Sequence, residues 1–283
     1  MLARSSYQKP VYAVSTLVII ALLGLGQSLF AANAPTTYPA YTGTDAKPIP
    51  PAPPLGLTNS IITDPTFGSR ILRVTDGSTA SGNSLIPEYA GYYRTWNANS
   101  TALKLMNGFG ISYWLEFNSS SFSVGDGSAR PSLHPLSFAW TWEWSAADPD
   151  IIYFLNGNQL AKYNKVTTVV TNLGGPPNGD PVTYHVAVVG ADTWVCSAAG
   201  SGTQNTYTKI YCLNPNAPSQ SKFIDVLNKT INGIAQSDPN WPTSAAGQTI
   251  GIHSMSGSAA GTYLGVVFTQ QSWGANGDSV FNL

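Results

Sequence analysis

The sequence predicts an all-β fold, a β-propeller with about four blades visible, in a chain of 283 residues. Three observations carry that expectation. The first is a repeat: a short apolar strand, a Gly/Asn turn, a second strand ending in Tyr or Leu, then a Thr/Val-rich strand. Its clearest copy is IIYFLNGNQLAKYNKVTTVV, Ile151 to Val170, and looser copies begin at Ala102, Thr193 and Thr262. The residues that open the second strand of each copy are Leu103, Ile151, Thr193 and Thr262; the first two intervals are of roughly 40–50 residues, the length of a blade. One small sheet cannot bury both of its faces, so repeats of this length stack on one another. The second observation is composition: 43% hydrophobic but only 10% charged residues, with Gly, Ser, Thr and Asn filling the difference, which suits short strands joined by many turns. The third is that no stretch sustains helical apolar spacing. Phe223 to Ile234 comes nearest, and Asn228, Thr230, Asn232 and Gly233 weaken it.

Taken in order, residues 1–34 read as a signal peptide. Arg4 and Lys9 precede the apolar run Val14 to Gly26, and Ala32-Asn33-Ala34 fits a small-x-small cleavage site. The alternative is an uncleaved anchor over Val11 to Ala32. Residues 35–56 form a Pro-rich linker whose seven prolines, from Pro35 to Pro54, favour an extended stalk. Residues 57–283 make the propeller domain. Arg70 to Val74 is expected either to complete the last blade and close a four-bladed ring, or to belong to a fragment of a larger ring. The last copy supplies three strands of its own, Gly251 to Met255, Tyr263 to Thr269 and Ser279 to Leu283. Pro215 to Gln248 reads as an insertion loop. Cys196 and Cys212 lie in consecutive strands, equidistant from Gln204 in the turn between them. That register predicts a cross-strand disulfide in an exported protein, two buried thiols being the alternative.

The segments NANSTALKLMNG and SAADPDIIYFLNGNQLAKYN resemble the blades of secreted bacterial propellers of the TolB-like and WD40-like types, over about Asp64 to Leu283. The usual Asp-Gly turn is replaced by Asn97-Ala98-Asn99 and Asp148-Pro149-Asp150. Those families generally have six or more blades, so the resemblance implies a fragment of a larger ring.

In such a fold the first strand of each blade lines a central channel. Counting back from the four reference residues places Arg94 or Thr95, Trp142 or Glu143, His185 and His253 there. Two histidines and a carboxylate suit a divalent metal ion. Their placement is similar to that in oligogalacturonate lyases, propellers whose channel histidines hold a metal. The resemblance implies His185, His253 and Glu143 as ligands and Arg94 as the anchor of a uronate carboxylate, although no HxH or HxxxH motif accompanies them. A merely polar, wet channel is the alternative. Trp140, Trp142 and Trp144 share one strand face by period-two spacing. They could form a sugar-stacking platform or fill the wedge between blades; Trp144 matches Trp96 one blade earlier and reads as core. Glu88, Tyr89 and Tyr92 precede Arg94 and complete a candidate ligand-binding mouth with Trp140 and Trp142.

Several classes are excluded. Lys and Arg never cluster and the net charge is -1, so no nucleic-acid partner is expected. There is no Gly-x-Ser-x-Gly elbow and no Cys-x-x-Cys. The expected role is a secreted binding or scaffolding module for a glycan or an extracellular protein. The alternatives are a metal-dependent polysaccharide lyase or hydrolase, and a self-associating subunit of an extracellular polymer joined through an unfinished blade edge.

Overall fold

A computed structural model describes residues 52, 54–64, 68–79, 85–86, 94–107, 112–128, 134–136, 141–202, 206–238, 241–242, 250–270 and 278–283. The expected signal peptide and most of the Pro-rich linker lie outside them. Among the described residues every regular element is a β-strand. The chain divides into two compact units, one holding Ile61–Leu72, the other Gly56–Ser60 and Arg73–Leu283.

The first unit contains one antiparallel hairpin, β1 (Ile61–Thr63) with β2 (Arg70–Leu72). This corrects the first expectation for Arg70 to Val74: among the described residues, its strand pairs with its own neighbour, β1.

The second unit is a run of antiparallel meanders. The first sheet holds β3 (Leu85–Ile86), β4 (Ala102–Asn107), β5 (Ser112–Asn118), β6 (Ser123–Val124) and β7 (His134–Leu136). Its inner edge is built from two pieces. β3 pairs the far end of β4, and Trp96 bridges Leu103 at the near end. The second sheet is β8 (Trp142–Trp144), β9 (Ile151–Asn156), β10 (Gln159–Asn164) and β11 (Val170–Gly174). The third runs β12 (Val182–Val189), β13 (Trp194–Ala199), β14 (Lys209–Asn214), β15 (Ala217–Asp225), and is extended by the small hairpin β16 (Thr230–Ile231) and β17 (Ile234–Ala235). The fourth is β18 (Ile250–Gly257), β19 (Tyr263–Gln270) and β20 (Asp278–Asn282). Pro215 to Gln248 is therefore not simply a loop, since it carries the outer strand of the third sheet.

The side-chain alternation shows how these sheets stack. Successive residues of a strand point to opposite faces. On β12, Ala187 and Val189 enter one apolar layer, while Val186 and Val188 enter another. On β14, Ile210 and Cys212 share the first layer, and Tyr211 and Leu213 the second. β9 sends Tyr153 toward the third sheet and Ile152 and Phe154 toward the first, where they meet Ala102, Trp114, Trp142 and Trp144. Three apolar layers thus separate four consecutive sheets, and each middle sheet is buried on both faces. A two-layer sandwich has one such layer; a stack of blades has one between every pair. Double-sided burial also explains why the middle strands read as unbroken apolar runs, VAVV, IIYF and IYCL.

The inner strands converge. Gly257 sits so close to β12 that an added Cβ would collide with the Val188 carbonyl oxygen and lie 2.6 Å from the Val189 Cα. The Gly190 amide then donates to the Ser258 carbonyl at 2.8 Å. Only glycine permits that approach of β18 to β12.

Cys196 and Cys212 face each other directly across β13 and β14 and are joined by a disulfide, with Cα atoms 4.0 Å apart. Both are buried in the layer between the third and fourth sheets. The bridge closes a loop of sequence separation 16. Reduction, or replacement of both by Ala, is expected to lower the unfolding free energy by about 2–3 kcal/mol, mostly by freeing the unfolded chain. Urea unfolding with and without reductant measures it; superimposable curves would contradict it.

Candidate functional site

The turns that leave the inner strands gather at one end of the second unit. Two of them are tied to a neighbouring blade by polar side chains. Asn97 accepts the amides of Thr101 and Ala102 on its Oδ1, at 2.8 and 2.9 Å, and its Nδ2 donates to the Pro149 carbonyl at 3.0 Å. Its side chain does the work of the Asp-Gly that this turn lacks, and it links the first sheet to the second.

Asp192 links the third sheet back to the second. Its Oδ1 accepts the Ala146 amide at 2.7 Å, and its Oδ2 accepts the Ser145 hydroxyl and the Tyr153 phenol, the latter at 3.0 Å. Ser145 Oγ in turn accepts the amides of Ala147 and Asp148. Burial, reinforced by the neighbouring Asp192 charge, pushes the Tyr153 phenol well above the ordinary tyrosine range.

These turns enclose a depression of about 380 Å³ lined by residues from all four sheets: Arg94, Trp96 and Asn97 with Ala98, then Ser145 and Ala146, then Gly190 and Ala191, then Ala259. Four consecutive blades contributing to one opening is the arrangement expected around a propeller axis. Among the described residues of the lining, Arg94 is the one charged side chain. Trp96 is 40% exposed, whereas its counterpart Trp144 is fully buried. Small side chains make up most of the remaining wall, so the indole and the guanidinium dominate the surface a ligand would meet.

Arg94, one of the two residues that the spacing offered on this strand, lines the depression. Trp142 does not: it is 0% exposed and packs edge-on against Trp144 at 5.2 Å, so it belongs to the wedge between the first and second sheets and is corrected from ligand platform to core. Period-two spacing did place the two indoles on one face. Glu88, Tyr89, Tyr92 and Trp140 lie outside the described residues.

His185 and His253 do meet. Each is the extra residue of a β-bulge, His185 between Tyr184 and Val186 on β12, His253 between Ile252 and Ser254 on β18. His185 adopts a φ of 52°, as bulged residues can. Its imidazole hydrogen-bonds the His253 backbone, and desolvation by burial pulls its pKa down to about 4.

Glu143 does not join them as a third ligand. Among the described residues, no three His, Cys, Asp or Glu side chains gather in a way that could hold a metal ion. The physical reason is depth along the strand. His185 and His253 lie five residues before Gly190 and Ser258, but Glu143 lies only two before Ser145. Three residues of extended chain are about 10 Å. Glu143 is also engaged higher up, where its Oε1 accepts the amides of Arg94 at 3.0 Å and Trp144 at 3.2 Å. It braces the Arg94 backbone rather than binding a cation with the histidines.

Two residues that matter here escaped the sequence. Trp96 was hidden by its equivalence to a core tryptophan. Lys104, a charged residue within the strand ALKLMN, is fully buried, its Nζ donating to the Trp142 carbonyl at 2.7 Å and lying 4.4 Å from that indole. A carbonyl and an aromatic face together stabilise a buried ammonium.

No known family model matches the sequence, and no curated protein is similar to it. Solved structures that share part of its backbone course include two oligogalacturonate lyases. One is an oligogalacturonate lyase in complex with manganese, 11% identical, with a TM-score of 0.38, covering 80% of this chain and 69% of that one. The other is an oligogalacturonate lyase from Vibrio parahaemolyticus, 8% identical, with a TM-score of 0.39, covering 76% and 66%. The chain spans about two thirds of the length of each. The relationship is a distant, propeller-like one, and no residue's role follows from it.

Proposed function

We propose that this chain is an exported binding module whose glycan ligand docks in the depression at the blade ends. The observation that carries it is the pairing of an exposed indole, Trp96, with a cationic residue, Arg94, whose backbone Glu143 holds, among walls that include Ala and Gly. An indole face packs against the C–H face of a sugar ring, and a guanidinium supplies five donors for hydroxyl or acidic groups. Few but well-placed polar groups in a concave site are what orient a small ligand. The buried disulfide supports export to an oxidising compartment, as does the leader-like start of the sequence.

The test is calorimetric titration of the full chain with neutral and acidic oligosaccharides. Trp96→Ala is expected to weaken binding about 30-fold, equivalent to about 2 kcal/mol. Arg94→Gln is expected to weaken acidic ligands more than neutral ones. An unchanged affinity in Trp96→Ala would remove this proposal.

A further inference from the structure

A second depression, also of about 380 Å³, opens beside the first. It is lined by Thr101, Glu116, Phe117, Asn118, Ser119 and Lys165, from the first sheet and from the β10–β11 turn of the second. The Asn97–Thr101 turn runs between the two, with Asn97 and Ala98 on one side and Thr101 on the other. Across that turn the aromatic rings are continuous. Trp96 lines the first depression, Phe117 the second, and their centroids are 5.3 Å apart, edge to face. Phe122 extends the row, 6.0 Å from Phe117.

The second depression has a rigid, polar character. Lys165 is held by Asp150 at 2.8 Å and lies over the Trp114 ring, so its cation is fixed before any ligand arrives. Asn118 accepts the Ser120 and Ser121 amides on its Oδ1, which orients its side-chain NH2 donors. Thr101, Ser119 and Glu116 add hydroxyl and carboxylate groups. Donors and acceptors alternate over a short distance beside an aromatic edge, the pattern that matches a ring carrying several hydroxyls.

We infer that the two depressions are subsites of one groove, and that the ligand is a linear oligosaccharide long enough to cross the Trp96–Phe117 pair. This rests on the glycan reading of the mouth. An extended peptide fits less well. Peptides in grooves commonly pair with main-chain groups of a sheet edge. Here the Thr101 and Ala102 amides are taken by Asn97, and the Phe117 amide by the Thr101 carbonyl.

The experiment titrates the full chain with linear β-glucan, chitin and uronan oligosaccharides graded from the monosaccharide to the hexasaccharide, and with a peptide series of matched length. Affinity is expected to rise about tenfold or more between the disaccharide and the longer members of the preferred series. Ser119→Trp fills the outer depression from an exposed turn, and is expected to bring long ligands down to the affinity of short ones while leaving the short ones unchanged. Glu116→Ala, at an exposed position, gives the same selective loss by removing an acceptor and serves if Ser119→Trp fails to fold. Sugar binding that is flat with chain length, or untouched by both variants, overturns the two-subsite groove and leaves the mouth reading standing. Binding of peptides alone, or of neither series, overturns both.

Discussion

Replacing Asp192 with alanine is expected to cost about 3–5 kcal/mol of stability, a large effect for a turn substitution. Asp192 sits in a four-residue turn between β12 and β13, where surface loops usually tolerate change. It is nevertheless only 6% exposed, and it adopts a φ of 59° to aim its carboxylate at the neighbouring blade. Removing it strands three donors at once: the Ser145 hydroxyl, the Ala146 amide and the Tyr153 phenol. Each buried donor left without an acceptor costs about 1–3 kcal/mol, reduced where water can enter. Asp192→Asn tests the account further. It keeps one oxygen acceptor but sets an NH2 against groups that donate, so its cost is expected to fall between wild type and Ala. It also keeps more of the turn geometry, since Asn tolerates positive φ. Urea unfolding of the three proteins, with unchanged m-values, is the measurement. Because Ser145, Ala146, Gly190 and Ala191 line the mouth, Asp192→Ala is further expected to weaken ligand binding without touching the ligand. An Ala variant within 1 kcal/mol of wild type would show that the blades are held by apolar packing alone.

The apolar packing was legible in the sequence to an unusual degree. Strands buried on both faces show no alternation, so their positions stand out as continuous apolar runs between turn residues. The residues chosen to open the second strands, Leu103, Ile151, Thr193 and Thr262, fall within one residue of the starts of β4, β9, β13 and β19 at Ala102, Ile151, Trp194 and Tyr263. The outer strand β15 was not legible, because APSQSKFID faces solvent over much of its length and has the composition of a loop. The disulfide was legible because hairpin register is symmetric about its turn.

The candidate site was legible only in part, for reasons of depth and neighbourhood. Counting residues from a reference point assumes that every inner strand has the same path. Turn length breaks that assumption: six residues, 145–150, separate β8 from β9, whereas four, 190–193, separate β12 from β13, so the same count ends nearer the mouth on β8 than on β12. Trp96 and Trp144 share a place in the repeat but not an environment. Trp144 is covered by the first sheet, its indole N–H donating to the Thr95 carbonyl, while Trp96 stands at the mouth. A repeat pattern reports position within a blade; it carries no information on what the adjacent blade or opening places against it.

Acidification between pH 6.5 and 4 is expected to destabilise the protein by about 3 kcal/mol through His185 alone. The folded-state pKa of this imidazole, about 4, lies below the ordinary value of 6.5. As the pH falls below 6.5 the unfolded chain takes up this proton while the folded protein resists it. The stability conferred by the neutral, buried ring is therefore complete above about pH 6.5, is lost progressively down to about pH 4, and falls no further below that. Burial is the main cause, and the nearby His253 and Lys104 charges act in the same direction, opposed by the hydrogen bond to the His253 backbone. The aspartates whose carboxyls are held low, Asp76, Asp126 and Asp180, act in a different window. Their contribution is intact above the ordinary carboxylate value of 3.8 and is lost only as the pH drops below it. The two sources of acid sensitivity thus separate on the pH axis. His185→Asn is the discriminating variant, because Asn accepts the positive φ of the bulge and retains a polar group near the His253 backbone but does not titrate. Its unfolding free energy is expected to be lower than wild type at pH 7 and to lose about 3 kcal/mol less between pH 6.5 and 4, with both proteins weakening together below 3.8. Parallel profiles for wild type and His185→Asn across the upper window would mean that the imidazole protonates as readily in the fold as in water, and that the bulge leaves it open to solvent.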